Sequence, residues 1–173
     1  MNIHQFNLQF NPEEDRILFK LNTVSKEEFR FFITRRFVKL LWPVLLQMLG
    51  TDLIKREPEK AHAAKAILEF EREEVVSKAN FKQKYSEDIK IFPLGEGVLL
   101  LSRIQVKQSP HGNILCLHPS KGSGIEFVVN NAFLHPFCKL LEDAVARAQW
   151  DMKLSYGEKK QIRNVPPSPR VLH

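Results

Sequence analysis

Two short stretches decide the fold: Phe29-Arg30-Phe31-Phe32-Ile33 and Ile125-Glu126-Phe127-Val128-Val129. In each, every second residue is apolar and presents one face, which is the period of a half-buried strand. Their first residues stand at 29 and 125, 96 positions apart. At that same offset Leu21 falls on Leu117, Phe37 on Phe133 and Leu45 on Leu141. Leu8-Gln9-Phe10 falls on Ile104-Gln105-Val106, and the loop 23–28 matches 119–124 without a gap. A repeat of strand, strand, strand and helix is therefore expected, with Phe6, Leu8 and Phe10 inward in one copy and Ser102, Ile104 and Val106 inward in the other.

The elements follow from local patterning. Residues 3–10 (IHQFNLQF) alternate as a strand, Asn11 to Asp15 form a turn, and 16–22 (RILFKLN) form a second strand. Thr34 suits a helix N-cap, and Phe37, Leu41, Val44, Leu45 and Met48 make a helical stripe that Gly50 should end, with a kink at Pro43. Residues 51–80 read as a helical insert, one helix from Pro58 to Lys78, with Phe81 and Tyr85 in an extended connector beyond it. Strands are expected at 89–94, 98–107, 113–118 and 125–130, then a helix over 132–152. Trp42 and Trp150 read as core residues of the two repeat helices.

The fold class is thus α+β: a duplicated antiparallel β-meander plus helix, helices packed on one face, and an extra helix between the copies. The chain is expected to be a single domain over 1–152, with repeat copies at about 3–49 and 89–150, followed by a Pro-containing tail at 153–173. Its apolar content of 43% excludes wholesale disorder, and two cysteines in 173 residues exclude a disulfide scaffold. The apolar run near Leu40 to Leu49 is short for a membrane span, and no secretory signal is apparent, so a cytoplasmic setting is expected.

Net charge is +6, with 26 basic against 20 acidic residues. It is unevenly spread: residues 1–50 carry +2, 51–88 carry −1, 89–152 carry +1 and 153–173 carry +4. The body is nearly neutral and the tail is basic.

No catalytic constellation stands out, and no cofactor or metal is expected. Cys116, His118, His135 and Cys138 lack a zinc-knuckle spacing and read as core thiols with dispersed imidazoles. Glu13-Glu14-Asp15 reads as a solvated turn, and the loop Ser120 to Gly124 as a hairpin connection rather than a phosphate cradle.

The outer face is more informative. The first copy presents Gln5, Asn7, Gln9, Leu18, Lys20, Arg30 and Phe32; the second presents Leu101, Arg103, Gln105, Ile114, Cys116, Glu126 and Val128. Cations beside an aromatic are what single-strand binding needs, and Thr34-Arg35-Arg36 at a helix start adds two guanidiniums. The tandem strand-meander-plus-helix arrangement resembles the single-stranded-DNA-binding transcriptional regulator fold, the group of the Whirly and PUR-repeat proteins. That resemblance rests on topology over about 3–49 and 89–150, and the first copy has three strands where that fold has four. Segments Glu13 to Arg16, Thr34 to Arg36 and Leu41-Trp42-Pro43 are also similar to an uncharacterised bacterial protein family. The expected partner is single-stranded nucleic acid, held by Lys20, Arg30, Phe32, Arg35, Arg36 and Arg103, with no membrane. A homo-oligomer is expected too, because Leu18, Phe32, Leu101, Ile114 and Val128 leave the outer face partly apolar. An alternative is an interaction protein with no nucleic-acid role, and an enzyme ranks third.

Overall fold

A computed structural model describes residues 1–79, 83–86 and 88–156. Phe81 and residues 157–173 of the expected tail lie outside the described residues. The first half runs β1 (Ile3–Asn11), β2 (Arg16–Thr23), β3 (Glu28–Ile33) and α1 (Arg35–Arg56). A 3₁₀ turn (Pro58–Ala63) and α2 (Ala64–Lys78) follow. The second half runs β4 (Leu99–Ser109), β5 (Gly112–Pro119), β6 (Ile125–Val129) and α3 (Asn131–Ala148).

The six strands make one mixed sheet in the order β1-β2-β3-β4-β5-β6. Each half is an antiparallel meander. The two meanders join through a parallel contact of only two residue pairs, Phe31 with Leu99 and Phe32 with Leu100. A parallel neighbour requires a crossover, and α1, the 3₁₀ turn and α2 supply it. β2 and β5 begin at 16 and 112, β3 and β6 end at 33 and 129, and α1 and α3 begin at 35 and 131, all 96 positions apart. Both repeat helices are capped alike: Thr34 Oγ1 accepts from the Phe37 amide at 3.2 Å, and Asn130 Oδ1 accepts from the Phe133 amide at 3.0 Å.

The core forms one cluster. Ile17, Phe19, Leu21, Phe31 and Ile33 are fully buried on the inward face of β2 and β3. Val38, Leu41, Leu45, Leu49 and Leu53 form the fully buried line of α1. By length and composition α1 could cross a membrane; here its apolar line belongs to the core, each such side chain contributing roughly 1.5–3 kcal/mol when removed from water. α3 packs back onto β1 and β2. Phe133 touches Phe6 of β1 (ring centroids 4.7 Å) and Phe127 of β6 (5.3 Å), while Phe137 meets Phe19 edge-on at 5.3 Å. Both tryptophans are buried as expected, Trp42 on α1 and Trp150 beyond the end of α3 rather than within it, and each ring N–H finds an oxygen: Trp42 donates to the Ser155 carbonyl at 3.2 Å and Trp150 to Asp15 Oδ1 at 2.7 Å.

Five expectations need correction. Residues 89–94 form no strand; Ile91 makes one isolated bridge to Glu27, because Pro93 and the turn through Gly95 interrupt the ladder. Gly50 does not end α1, which runs to Arg56, because Leu49 and Leu53 are buried on either side of it. The insert is not one helix: the Pro58 segment is a separate 3₁₀ turn before α2. The last helix ends at Ala148, where Gln149 takes a left-handed conformation (φ 52°). Finally, a bulge between Leu101 and Arg103 shifts the β4 register, so Leu101 is buried and Ser102 exposed, the reverse of the alternation read from sequence.

The hairpin loop from β5 to β6 needs glycine at 124 on steric grounds. A Cβ there would meet the Leu117 carbonyl oxygen at 2.1 Å and the His118 Cα at 2.7 Å, both backbone. Gly124→Ala should therefore destabilise the protein by about 1–3 kcal/mol. Asn130→Ala, which removes the α3 cap, should cost about 1 kcal/mol. Urea titration followed by tryptophan fluorescence checks both, and a Gly124→Ala midpoint equal to the parent would show that the loop opens freely.

Candidate nucleic-acid interface

The pairings order the outer face into cross-strand rows. Gln9, Leu18, Phe32 and Leu100 form one row across β1 to β4. Asn7, Lys20 and Arg30 form the next, and Gln5, Asn22 and Glu28 the one beyond.

The two inner rows are engaged by the segment that leads into β4. Gln5 Oε1 accepts from the Ser86 amide at 2.8 Å. The Lys20 ammonium lies 5.9 Å from the Tyr85 ring, and the Arg30 guanidinium lies 4.5 Å from the Phe92 ring. Arg30 also pairs with the buried Glu28 carboxylate and donates to the Glu96 carbonyl at 3.1 Å. Lys26 pairs with Asp88. Backbone bonds fix the segment to β3 and the turn before it: Glu28 N–H to the Ile91 carbonyl (2.9 Å) and Lys90 N–H to the Lys26 carbonyl (3.0 Å). Burial and the neighbouring Glu28 carboxylate hold the Tyr85 hydroxyl protonated well above its ordinary range. Lys20 and Arg30, two of the six expected contacts, are thus engaged by this segment.

The first row is different. Phe32 is half-buried between Leu18 and the exposed Leu100, and the Arg16 guanidinium sits 5.5 Å from its ring centroid. Arg16 was missed in the sequence because it stands at a strand start and pairs with Glu14 at 3.5 Å. Arg35 and Arg36 are exposed on the first turn of α1, directly after β3. Arg103 is exposed on β4 and donates to the Pro119 carbonyl at 3.2 Å. Farther along the second meander, Glu126 binds Lys107 at 2.8 Å and lies 3.6 Å from His118. Cys116, opposite Glu126 in the ladder, is buried; desolvation and that carboxylate raise its thiol pKa, so it stays protonated.

A second polar cluster lies between α2 and α3, and sequence reading did not find it. Glu71 of α2 binds Arg56 at 3.0 Å, accepts from Asn131 Nδ2 at 3.4 Å and lies 3.7 Å from His135 Nε2. Arg72 pairs with Glu142 and sits 5.0 Å from the Tyr156 ring, which stacks on His135 (6.2 Å, 8°). Asn131, His135, Cys138 and Glu142 recur at helical spacing, so one face of α3 carries them. That spacing was a usable signal, but Phe133 and Phe137 between them read as core. Burial pushes the Cys138 thiol up to about 12 and raises the Glu142 carboxyl. Among the described residues, no three His, Cys, Asp or Glu side chains are placed to hold a metal ion.

No protein-family model, no curated protein and no solved structure matches the chain.

His135 is fully buried, and desolvation lowers its pKa below the ordinary 6.5 despite the opposing pull of Glu71. As pH falls through 6.5, the unfolded chain takes up this proton before the native state does. The native advantage is complete above that pH and declines below it. His135→Phe keeps a ring against Tyr156 and removes the titration. From pH 7 to pH 5 the parent should lose more stability than His135→Phe, as read by urea midpoints; equal losses would mean that His135 does not titrate differently in the two states.

Proposed function

We propose that this protein binds single-stranded nucleic acid on the outer face of its sheet, in a cytoplasmic setting. The observation that carries the reading is Phe32: a half-exposed aromatic in the open row, with Arg16 over its ring and Leu18 and Leu100 beside it. A base can stack on such a ring, and a guanidinium above it serves both the base plane and a phosphate. Arg35, Arg36 and Arg103 lie on the elements that leave this row and supply further phosphate contacts. Lys20 and Arg30, held by Tyr85 and Phe92, belong to the same face but contribute less, because binding there must replace an existing partner. The matching element bounds support a reading of the halves as copies of one strand-strand-strand-helix unit, with the second copy's outer face more acidic through Glu126.

The test is fluorescence anisotropy of a labelled single-stranded oligonucleotide with the full chain. Binding should weaken with salt, and Arg35→Ala with Arg36→Ala should reduce the slope of log K against log salt by about 1.4, at about 0.7 per phosphate contact. Phe32→Ala should cost about 1–3 kcal/mol. The chain ending at Tyr156 is the essential control, since Lys159, Lys160, Arg163 and Arg170 lie beyond it. It should still bind, and Phe32→Ala should weaken it. No anisotropy change at low salt, or binding that vanishes with residues 157–173 and ignores Phe32, overturns the reading.

A further inference from the structure

β4 is the longest strand, eleven residues, yet it meets β3 only at Leu99 and Leu100. Its other side pairs with β5 from Leu101 to Ser109. Among the described residues, nothing pairs with the β3-side edge of β4 beyond Leu100. That overhang is open on its faces as well: Ser102, Arg103, Gln105, Val106, Lys107 and Gln108 are exposed, and Val106 is 39% exposed despite its apolar side chain. An open ladder edge presents unpaired amides and carbonyls, and its natural complement is another strand.

We infer that a second copy of this chain docks here, β4 against β4 in antiparallel pairing about a two-fold axis. Room and charge select the register. Centring on Gln105 opposes Arg103 to Lys107 twice, and like charges directly opposite are unfavourable. Centring on Ile104 sets Lys107 against Leu101 and drives the partner's hairpin tip toward the end of β3. Centring on Val106 avoids both like-charge pairs and leaves the two β3 pairs intact, the partner's turn residues Pro110 and His111 falling opposite Ser102 and Leu101. It opposes Val106 to Val106, Gln105 to Lys107, Ile104 to Gln108 and Arg103 to Ser109, and it uses only the overhang. It also explains the exposed valine: Val106 and the half-buried Ile104 of both copies would form one apolar strip across the axis. Lys107 is already neutralised by Glu126, so its approach to a neighbouring strand costs little. The product joins the two sheets through their β4 strands, and of the proposed nucleic-acid contacts the interface includes Arg103 but neither Phe32 nor its row.

Sedimentation velocity of the full chain at micromolar concentration should give twice the 20.1 kDa monomer mass. Val106→Lys sets two ammonium groups on the axis and should give a monomer with unchanged circular dichroism. Val106→Cys should form a disulfide-linked dimer under mild oxidation far faster than Gln105→Cys, because the native thiols Cys116 and Cys138 are buried and only one register brings residue 106 to the axis. A parent protein that sediments as a monomer overturns the proposal. So does a Val106→Lys variant that remains dimeric, or faster cross-linking at position 105. Oligonucleotide binding has no part in these readouts, so the two proposals fail separately.

Discussion

The two-residue parallel contact between Phe31-Phe32 and Leu99-Leu100 is the constraint on which the rest depends. It joins two antiparallel meanders that would otherwise be separate three-stranded sheets, each with one greasy face. Because the strands there are parallel, the chain must cross over between them, and α1 is the element that uses the crossover to fill the core. Because the contact is so short, β4 continues alone past the end of β3, and the overhang is what makes that edge available. The same two pairs place Phe32 beside Leu100 on the outer face, which creates the open apolar row with Arg16 above it.

A short seam is tolerable only if something else holds the halves together. α3 does this by leaving β6 and packing on β1 and β2 at the opposite end of the sheet. Phe133 touches Phe6 and Phe127, one from each edge strand, and Phe137 reaches Phe19. The aromatic cluster thus does through packing what two ladder pairs cannot do through hydrogen bonds. Its contribution beyond simple area burial is about 0.5–1.5 kcal/mol per well-placed ring pair. The segment after α3 adds a further tie: Trp150 to Asp15, and the Ser155 carbonyl to Trp42, link the last described residues to a loop and a helix of the first half.

What the sequence revealed follows from this division of labour. The α+β class, the six principal strands and the N-cap of α1 were legible because they rest on local periodicity and capping chemistry, as with Ile17-Phe19-Leu21 or Thr34. The register of β4 was not, because a bulge is one residue with no distinctive composition, and Leu101 against Ser102 is decided by the partner strand. The helix end at Gly50 failed for a tertiary reason: propensity for a stop is weak against the burial of Leu49 and Leu53. At the outer face, residue types identified Lys20 and Arg30 as cations on the right side of the right strands. Nothing local could reveal that Tyr85 and Phe92, 65 and 62 positions away, would be laid across them.

A cation on a sheet surface is available to a polyanion only to the extent that its present partners are weaker than the new ones. Arg30 has a buried carboxylate, an aromatic face and a carbonyl. Displacing them would strand Glu28, which is 3% exposed, without its counter-ion, and an uncompensated buried charge costs several kcal/mol. Arg16 is paired with the exposed Glu14 at 3.5 Å and lies over the half-exposed Phe32 ring, and an exposed pair of this kind can be redirected at little cost. Electrostatic attraction at this face should therefore be concentrated at the end of the sheet where β2 begins and β3 passes into α1. The basic character of rows nearer Glu28 is internal to the fold. Counting charges on a face thus overstates its affinity, and the side chains that matter are those whose present partners lie in water.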